Sequence, residues 1–482
     1  MDISVVRFVL GKLARAYGLA LLIPLAVALF YAEPSCFAFT LAVAICFMAG
    51  HMLVHGGTAP LDSLSVREGV AITALGWIMV TILGMIPYAA GGYLPVLDGL
   101  FETISGLSGT GATVFTDVES LPQSLLLWRA MTHWLGGLGI IVIFIAVFPQ
   151  FGRGIVHMFD AESTGPRSDR IVPRIKEMAR ALFIVYITFT AASAFVFFCC
   201  GMSPLIAIDH AFSTIATGGF SPYNDSAGHF HSAAIEGWLA FFMAISSANF
   251  GMYVAAWKRG VSVIFKDTEF RTYLCIVAAA TVLMTLNLVW SQGENVGLAV
   301  RETLFQAVSI SSSTGYISCN FDAWPGFSKF ILLFLMFVGG CAGSTTGGLK
   351  VTRLILLCKG IYGVVRSKIH PNLVFHLRSN GEEFSLDLLY GVARFFFVYV
   401  MLGVLWTTIL VFDGVSIFNA LTLSISTMGS CGPGFGPYFA DCASLPPLSK
   451  SALCLSMLMG RLEMFPVLAI VMPEFWRHRN SW

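Results

Sequence analysis

A glycine stands six residues after a serine at four places in this chain: Ser105 to Gly111, Ser213 to Gly219, Ser309 to Gly315 and Ser426 to Gly432. Each serine follows an apolar residue (Ile104, Phe212, Val308, Ile425), and the glycines lie 108, 96 and 117 residues apart. The local sequences are Gly109-Thr110-Gly111-Ala112-Thr113, Thr217-Gly218-Gly219-Phe220-Ser221, Ser313-Thr314-Gly315-Tyr316-Ile317 and Ser430-Cys431-Gly432-Pro433-Gly434. Glycine adopts positive φ and lets backbone approach a ligand closely. A run of alternating φ aims successive carbonyl oxygens at an axis, and four such runs make rings that replace a cation's hydration shell. The residue before each glycine is small (Thr110, Gly218, Thr314, Cys431), as a crowded axis demands. The competing reading is helix packing, for which glycine is also common in membranes. Four glycines in register with a serine, each between two apolar spans, favour a filter. Its candidate ion-binding residues are Thr110, Gly111, Thr217, Gly218, Gly219, Thr314, Gly315, Cys431 and Gly432.

A second group has the chemistry of a barrier. Residues 339–348 are ten small residues in succession inside an apolar stretch, 327–357, that is too long for one simple span. Glycine costs about 1 kcal/mol against alanine in a helix, so a broken helix with a flexible loop at the pore is expected. A close-packed small-residue helix interface is the alternative. Arg461 falls near the middle of another apolar stretch, 449–473, where a charge is expensive and usually functional. Glu463, two residues on, faces elsewhere on a helix and is not its obvious partner. Arg461 either binds backbone carbonyls or sets a positive charge beneath the filter, and the two roles are compatible. The candidate gating residues are Gly343, Ser344, Thr345, Thr346, Gly347, Lys350 and Arg461.

The elements that must position these groups are membrane helices. The chain has 482 residues, is 56% hydrophobic and only 11% charged, against about 25% charged in a soluble domain. Candidate spans are 13–31, 36–55, 69–91, 124–148, 178–201, 235–257, 273–291, 327–357, 386–412 and 449–473, which makes ten. Within the last four pairs lie shorter apolar stretches, 98–109, 205–216, 299–312 and 416–429, too short to cross and suited to re-entrant helices. The expected fold is all-α and polytopic, with four helix–pore-loop–helix repeats around one pore. It divides into an extra N-terminal helix pair (1–60) and repeats over 61–165, 166–265, 266–375 and 376–482.

Charge orients the bundle. Lys and Arg concentrate in 150–181, 258–271 and 350–378, whereas 93–123 and 202–236 contain neither. The positive-inside rule puts the rich segments and both termini in the cytoplasm and the four glycine segments outside. The outer loops carry Asp98, Glu102, Asp117, Glu119, Asp209, Asp225, Asp322, Asp413 and Asp441. Acidic groups at a pore mouth concentrate cations, although any outer loop needs polar residues. Arg7, Lys12 and Arg15 precede the first apolar run, but no small-residue cleavage site follows, so a retained helix is expected.

Other classes fare poorly. A net charge of +1 argues against nucleic-acid binding. The eleven cysteines show no zinc or disulfide spacing and suit apolar packing. His51 and His55 sit four apart without a third ligand, and Gly136-Gly137-Leu138-Gly139 has no preceding strand to make it a dinucleotide motif. No Walker A sequence and no nucleophile, base and orienter combination is legible, so no enzyme is expected. Parallel repeats disfavour a carrier built from inverted repeats.

Six segments carry a resemblance: ISGLSGTGAT at 104–113, WRAMTHWLGGLG at 128–139, FSTIATGGFS at 212–221, GGCAGSTTGGLK at 339–350, GPGFG at 432–436 and MGRLEMFP at 459–466. They resemble the H-type membrane subunit of the Trk potassium transporters, in the superfamily that includes Ktr subunits and plant HKT proteins. The resemblance runs from about residue 40 to the C-terminus, and the extra helix pair is similar to the H-type rather than the shorter Ktr type. It implies four pore repeats in one chain, a homodimer and a cytosolic nucleotide-binding (Trk A-type) ring docking on the basic segments 150–181 and 350–378. It also implies residence in the bacterial inner membrane, potassium as the ion, and an intramembrane loop obstructing the path beneath the filter. Members with serine at the first filter position can favour sodium; Gly111 stands there in this chain, which implies potassium. A sodium-conducting relative or a cation-coupled symporter is the runner-up.

Overall fold

An apolar chain in a bilayer must satisfy its own backbone hydrogen bonds, which dictates helices. The computed structural model describes residues 2–58, 65–137, 139, 175–370, 377–379, 382–384, 386–462 and 464–476. Among these the chain is helical apart from its connections and one antiparallel hairpin, Leu377–Ser379 with Glu382–Phe384. Among the described residues six helices are long and apolar enough to cross a membrane: Ile3–Phe30, Cys36–His55, Arg67–Ala90, Glu177–Cys199, Thr268–Gln292 and Leu386–Phe412. Two bent pairs, Ala233–Ser246 with Phe250–Arg259 and Pro447–Arg461 with Met464–Val471, raise this to eight if each pair is one span. The end of the expected 124–148 span, most of the basic segment 150–181 and Glu463 lie outside the described residues.

The first helix begins ten residues before the expected 13–31 edge, at Ile3. Asp2 caps it by accepting the Ser4 amide at 2.9 Å. Arg7, Lys12 and Arg15 therefore lie within its first four turns rather than ahead of it, and the Lys12 ammonium sits over the Phe8 ring at 5.6 Å. The helix packs on Val66–Gly84, begun by a Ser65–Glu68 capping box, and on Gln123–Gly137. Tyr17 meets Trp128 edge to face at 5.6 Å, and Trp128 Nε1 donates to the Gly84 carbonyl at 3.1 Å.

The four short helices stand where the apolar spacing puts them: Val96–Ser108, Pro204–Ile215, Val296–Ser311 and Ile417–Met428. Twelve helical residues rise about 18 Å, short of the roughly 30 Å hydrocarbon core. Each short helix ends three or four residues before its glycine.

Three longer stretches break. Helices Gly326–Val338 and Val351–Ile369 flank non-helical residues 339–350, where the small-residue run stands. The expected continuous span 235–257 is corrected: it breaks at Ser247–Asn249 and bends by 86°. Asn249 is the reason, since its side chain caps the following helix by accepting the Gly251 amide at 2.8 Å. Arg461 likewise is the last residue of Pro447–Arg461, not the middle of a continuous helix, and the chain turns by 117° after it.

Candidate functional site

The serine–glycine spacing has a backbone cause. The carbonyl of each serine, two or three residues before its helix ends, accepts the amide of the residue just before the glycine. The bonds are Thr110 to Ser105 at 2.9 Å, Gly218 to Ser213 at 2.8 Å, Thr314 to Ser309 at 2.9 Å and Cys431 to Ser426 at 2.8 Å. Such a bond closes a helix by turning the chain through left-handed geometry. Accordingly φ is positive at Gly109 (72°), Thr217 (53°), Ser313 (56°) and Ser430 (51°), ordinary at the next residue, and positive again at Gly111 (80°), Gly219 (84°), Gly315 (75°) and Gly432 (95°). That alternation turns successive carbonyls the same way.

The four turns meet. A methyl group added to Gly111 would strike the Gly218 carbonyl oxygen; on Gly219 it would strike that of Thr314, on Gly315 that of Cys431, and on Gly432 that of Thr110. The contacts close a ring in chain order, and no side chain fits at any of the four glycines. Beyond the glycines opens a cavity of 440 Å³ lined by all four loops. Further out the loops are stitched in the same order. Asn224 accepts the Val118 amide at 2.8 Å, Gly228 donates to Ile317 at 3.0 Å, Phe321 meets Phe435 at 5.6 Å, and Cys442 donates to Thr113 at 2.7 Å.

The acidic mouth is narrower than the sequence suggests. Of the nine outer acids, Asp225 and Asp441 line the cavity. Glu102 is fully buried against Arg129 at 2.8 Å, and Asp209 is buried in the second short helix. Asp98 pairs with Lys450 at 2.7 Å, Asp322 pairs with Lys329 at 2.9 Å, and Asp413 accepts the Ser449 amide at 2.9 Å. Asp117 accepts from the Asn224 amide group at 3.0 Å, a bond that holds its carboxyl below the usual carboxylate range.

Residues 339–350 pack against the inner end of these turns. Thr217 Oγ1 donates to Thr345 Oγ1 at 3.1 Å, Thr345 Oγ1 reaches the Ile215 carbonyl at 3.2 Å, and a methyl on Gly347 would strike the Gly429 carbonyl. Arg461 binds three carbonyls here, Thr345 at 2.7 Å, Gly136 at 2.6 Å and Gly137. Lys350 is buried and its ammonium donates to the Thr346 carbonyl and, at 3.0 Å, to Thr346 Oγ1. Ser344 bonds Thr346 Oγ1 at 2.7 Å, and Gly343 lies against Asn249. The structure thus brings Gly343 to Gly347, Lys350 and Arg461 together, in contact with the helix ends that lead into the second and fourth glycine turns.

The sequence profile of the TrkH cation transport proteins matches residues 35–477. The chain belongs to the TrkH family. It is 34% identical over 483 residues to the Trk system potassium uptake protein TrkH of Escherichia coli strain K12, covering 99% of this chain and all of that one. It is 32% identical to the TrkG protein of the same strain, over 98% of this chain and 99% of that one. A crystal structure of the potassium transporter TrkH from Vibrio parahaemolyticus superposes with a TM-score of 0.90 at 32% identity, covering 99% of this chain and all of that one. With its long apolar helices, this TrkH-family chain is an integral membrane protein, of a family of transporters and not of enzymes.

Several residues of this site escaped the sequence reading. Glu269 accepts the Ala342 amide at 2.7 Å and the Thr352 amide at 3.0 Å, holding both ends of the 339–350 loop. The break at 247–249 meets the same loop: Cys341 donates to the Ser247 carbonyl at 2.9 Å and Phe250 to the Gly343 carbonyl at 3.0 Å. Its signal was the small polar run Ser246-Ser247-Ala248-Asn249 inside an apolar stretch. His133 accepts the Phe220 amide on Nε2 at 3.1 Å, so its Nδ1 carries the proton donated to the Gly106 carbonyl at 2.7 Å. A polar side chain within the 124–148 apolar run was the available signal. His51 and His55 do meet, ring centroids 4.2 Å apart, but no group of three or more His, Cys, Asp or Glu that could hold a metal occurs among the described residues. The basic surface at 350–378 shrinks, since Lys350 and Arg353 are buried and Arg353 lies over Phe395 at 3.7 Å.

Proposed function

We propose that this protein carries potassium ions into the cell across the bacterial inner membrane, through a filter built from its four glycine turns. The observation that carries the reading is the closed ring of glycine–carbonyl approaches among Thr110–Gly111, Gly218–Gly219, Thr314–Gly315 and Cys431–Gly432. Alternating φ on each limb supplies stacked carbonyls, the ligands that replace a potassium ion's water. Thr217 joins the filter at its inner end. Ten spans, an extra helix pair and four pore repeats with both termini cytoplasmic complete the architecture, the repeats following the boundaries drawn from the sequence.

The 339–350 loop is the gate. Gly343, Ser344, Thr345, Thr346 and Gly347 obstruct the path, Lys350 and Arg461 add positive charge beneath the filter, and a cation leaving the filter meets both. The chain works as a homodimer with a cytosolic nucleotide-binding ring of the Trk A type; the relatives' names place them in a Trk system. Purified protein in potassium-loaded liposomes should take up rubidium tracer, and external potassium should compete far better than sodium. Equal competition by sodium would favour the sodium-conducting alternative. Uptake that follows an imposed proton or sodium gradient would favour a symporter.

A further inference from the structure

The residue nine positions before each filter glycine is fully buried in all four short helices: Glu102, His210, Gln306 and Leu423. Each reaches forward to the chain two or three residues past its own glycine. Glu102 accepts the Val114 amide at 3.0 Å and the Thr113 hydroxyl at 3.0 Å. His210 donates from Nδ1 to the Ile206 carbonyl at 3.0 Å, which leaves Nε2 to accept from Ser221 Oγ at 3.5 Å. Gln306 Nε2 donates to Ser318 Oγ at 3.2 Å. Leu423 has no polar atom to offer and packs against Gly434, where an added methyl would come within 3.0 Å of its Cδ2. The register is shared while the chemistry descends from carboxylate to imidazole to amide to hydrocarbon. The first is the strongest in a second way. Arg129 pairs with Glu102 at 2.8 Å, donates to Thr113 Oγ1 and the Ser221 carbonyl at 3.2 Å, and lies over Phe220 at 4.2 Å, so one ion pair holds the outer limbs of two loops.

We propose that these four residues are struts that hold the filter loops off the axis, that Glu102 with Arg129 is the positioning pair on which discrimination between ions chiefly depends, and that Leu423 marks the most compliant quarter. A carbonyl ring fits a smaller cation by contracting, and contraction of a limb must stretch or break its strut. The inference rests on the filter reading above. A strut bonded to a charged group resists more than a neutral one, and an apolar contact has no bond to stretch.

The test is the ratio of rubidium to sodium uptake in liposomes by purified, monodisperse protein. Glu102→Gln keeps the shape but removes the counter-charge of Arg129, and the ratio should fall about tenfold, the effect of losing a charged hydrogen bond. If that variant does not fold, Gln306→Leu decides the matter without stranding a charge, and should lower the ratio about threefold, as for a neutral bond. Leu423→Met, which swaps one apolar contact for another, should leave the ratio at the wild-type value. A role confined to packing would lower total uptake and Tm while leaving the ratio unchanged in every folded variant, and that outcome overturns the proposal. A wild-type protein that does not discriminate rubidium from sodium would instead overturn the filter reading itself.

Discussion

The four glycine turns of this protein are built alike; the helices that follow them are not. Each glycine turn has the same serine carbonyl bond, the same alternation of φ and the same approach to the next turn. Below, the helices that follow the turns differ. Ala233–Ser246 breaks at Asn249, Gly326–Val338 gives way to a twelve-residue loop, and Pro447–Arg461 ends on an arginine. The difference suits the two roles proposed for them, a filter and a gate. A ring of ligands has to present similar distances from every direction, and one misplaced quarter spoils it. A barrier needs a single obstruction, so one loop from one quarter suffices and the others are free to become its supports.

The strongest way to break the symmetric side is to add one methyl. Gly219→Ala puts a side chain where φ is 84° and the Thr314 carbonyl already sits. Rubidium uptake in liposomes should fall by about a hundredfold or more, since strain and clash together cost on the order of 3 kcal/mol. The same change at Gly111, Gly315 or Gly432 should do as much, and a tolerated alanine at any of them would end the comparison.

The asymmetric side should respond in the opposite sense. Arg461→Ala removes both the charge proposed to stand on the path and three bonds to carbonyls. Uptake should rise by roughly tenfold, equivalent to about 1.4 kcal/mol of barrier; equal uptake by variant and wild type would remove Arg461 from the gate. Glu269→Gln weakens two amide bonds that pin the ends of the loop. A loosened loop should raise uptake by about threefold, within the range for one hydrogen bond, and leave the rubidium-to-sodium ratio untouched. A changed ratio would mean that the two sides are not separable.

The smallest effect belongs to the outer stitching. The Asn224 bond lowers the Asp117 pKa in the folded protein. Its contribution is therefore present above the unfolded carboxylate value near 3.9 and lost as pH falls through the lower folded one. Asn224→Ala should lower Tm slightly at pH 7, and the deficit should shrink on acidification toward that range. A deficit that stays constant down to acid pH would assign it to the Val118 bond instead.

Much of this site is legible in the chain because its causes are local. The serine–glycine spacing reports a helix ending, since the bond from residue 110 to 105, and its three counterparts, forms within one segment. The small-residue run at 339–348 fails as a helix whatever surrounds it. The break at 247–249 is not legible in the sequence because the apolar run through 235–257 outweighs one asparagine, and the bonds to the partner loop that add to its cap come from a distant segment. Glu102 illustrates the other limit. Read along the sequence it is one acid among nine in outer loops; its fully buried pairing with Arg129, 27 residues away, turns it inward.

Composition, apolar run length and glycine spacing by themselves determined a helical membrane chain with four short elements and where each must turn, because hydrophobic burial and backbone sterics act on neighbours in sequence. Only the tertiary structure decided that Gly111 meets residue 218 and Gly432 meets residue 110, which acids line the cavity, and which groups grip the loop beneath. Those are contacts between segments about seventy or more residues apart, and their geometry is set by how the helices pack rather than by any local preference.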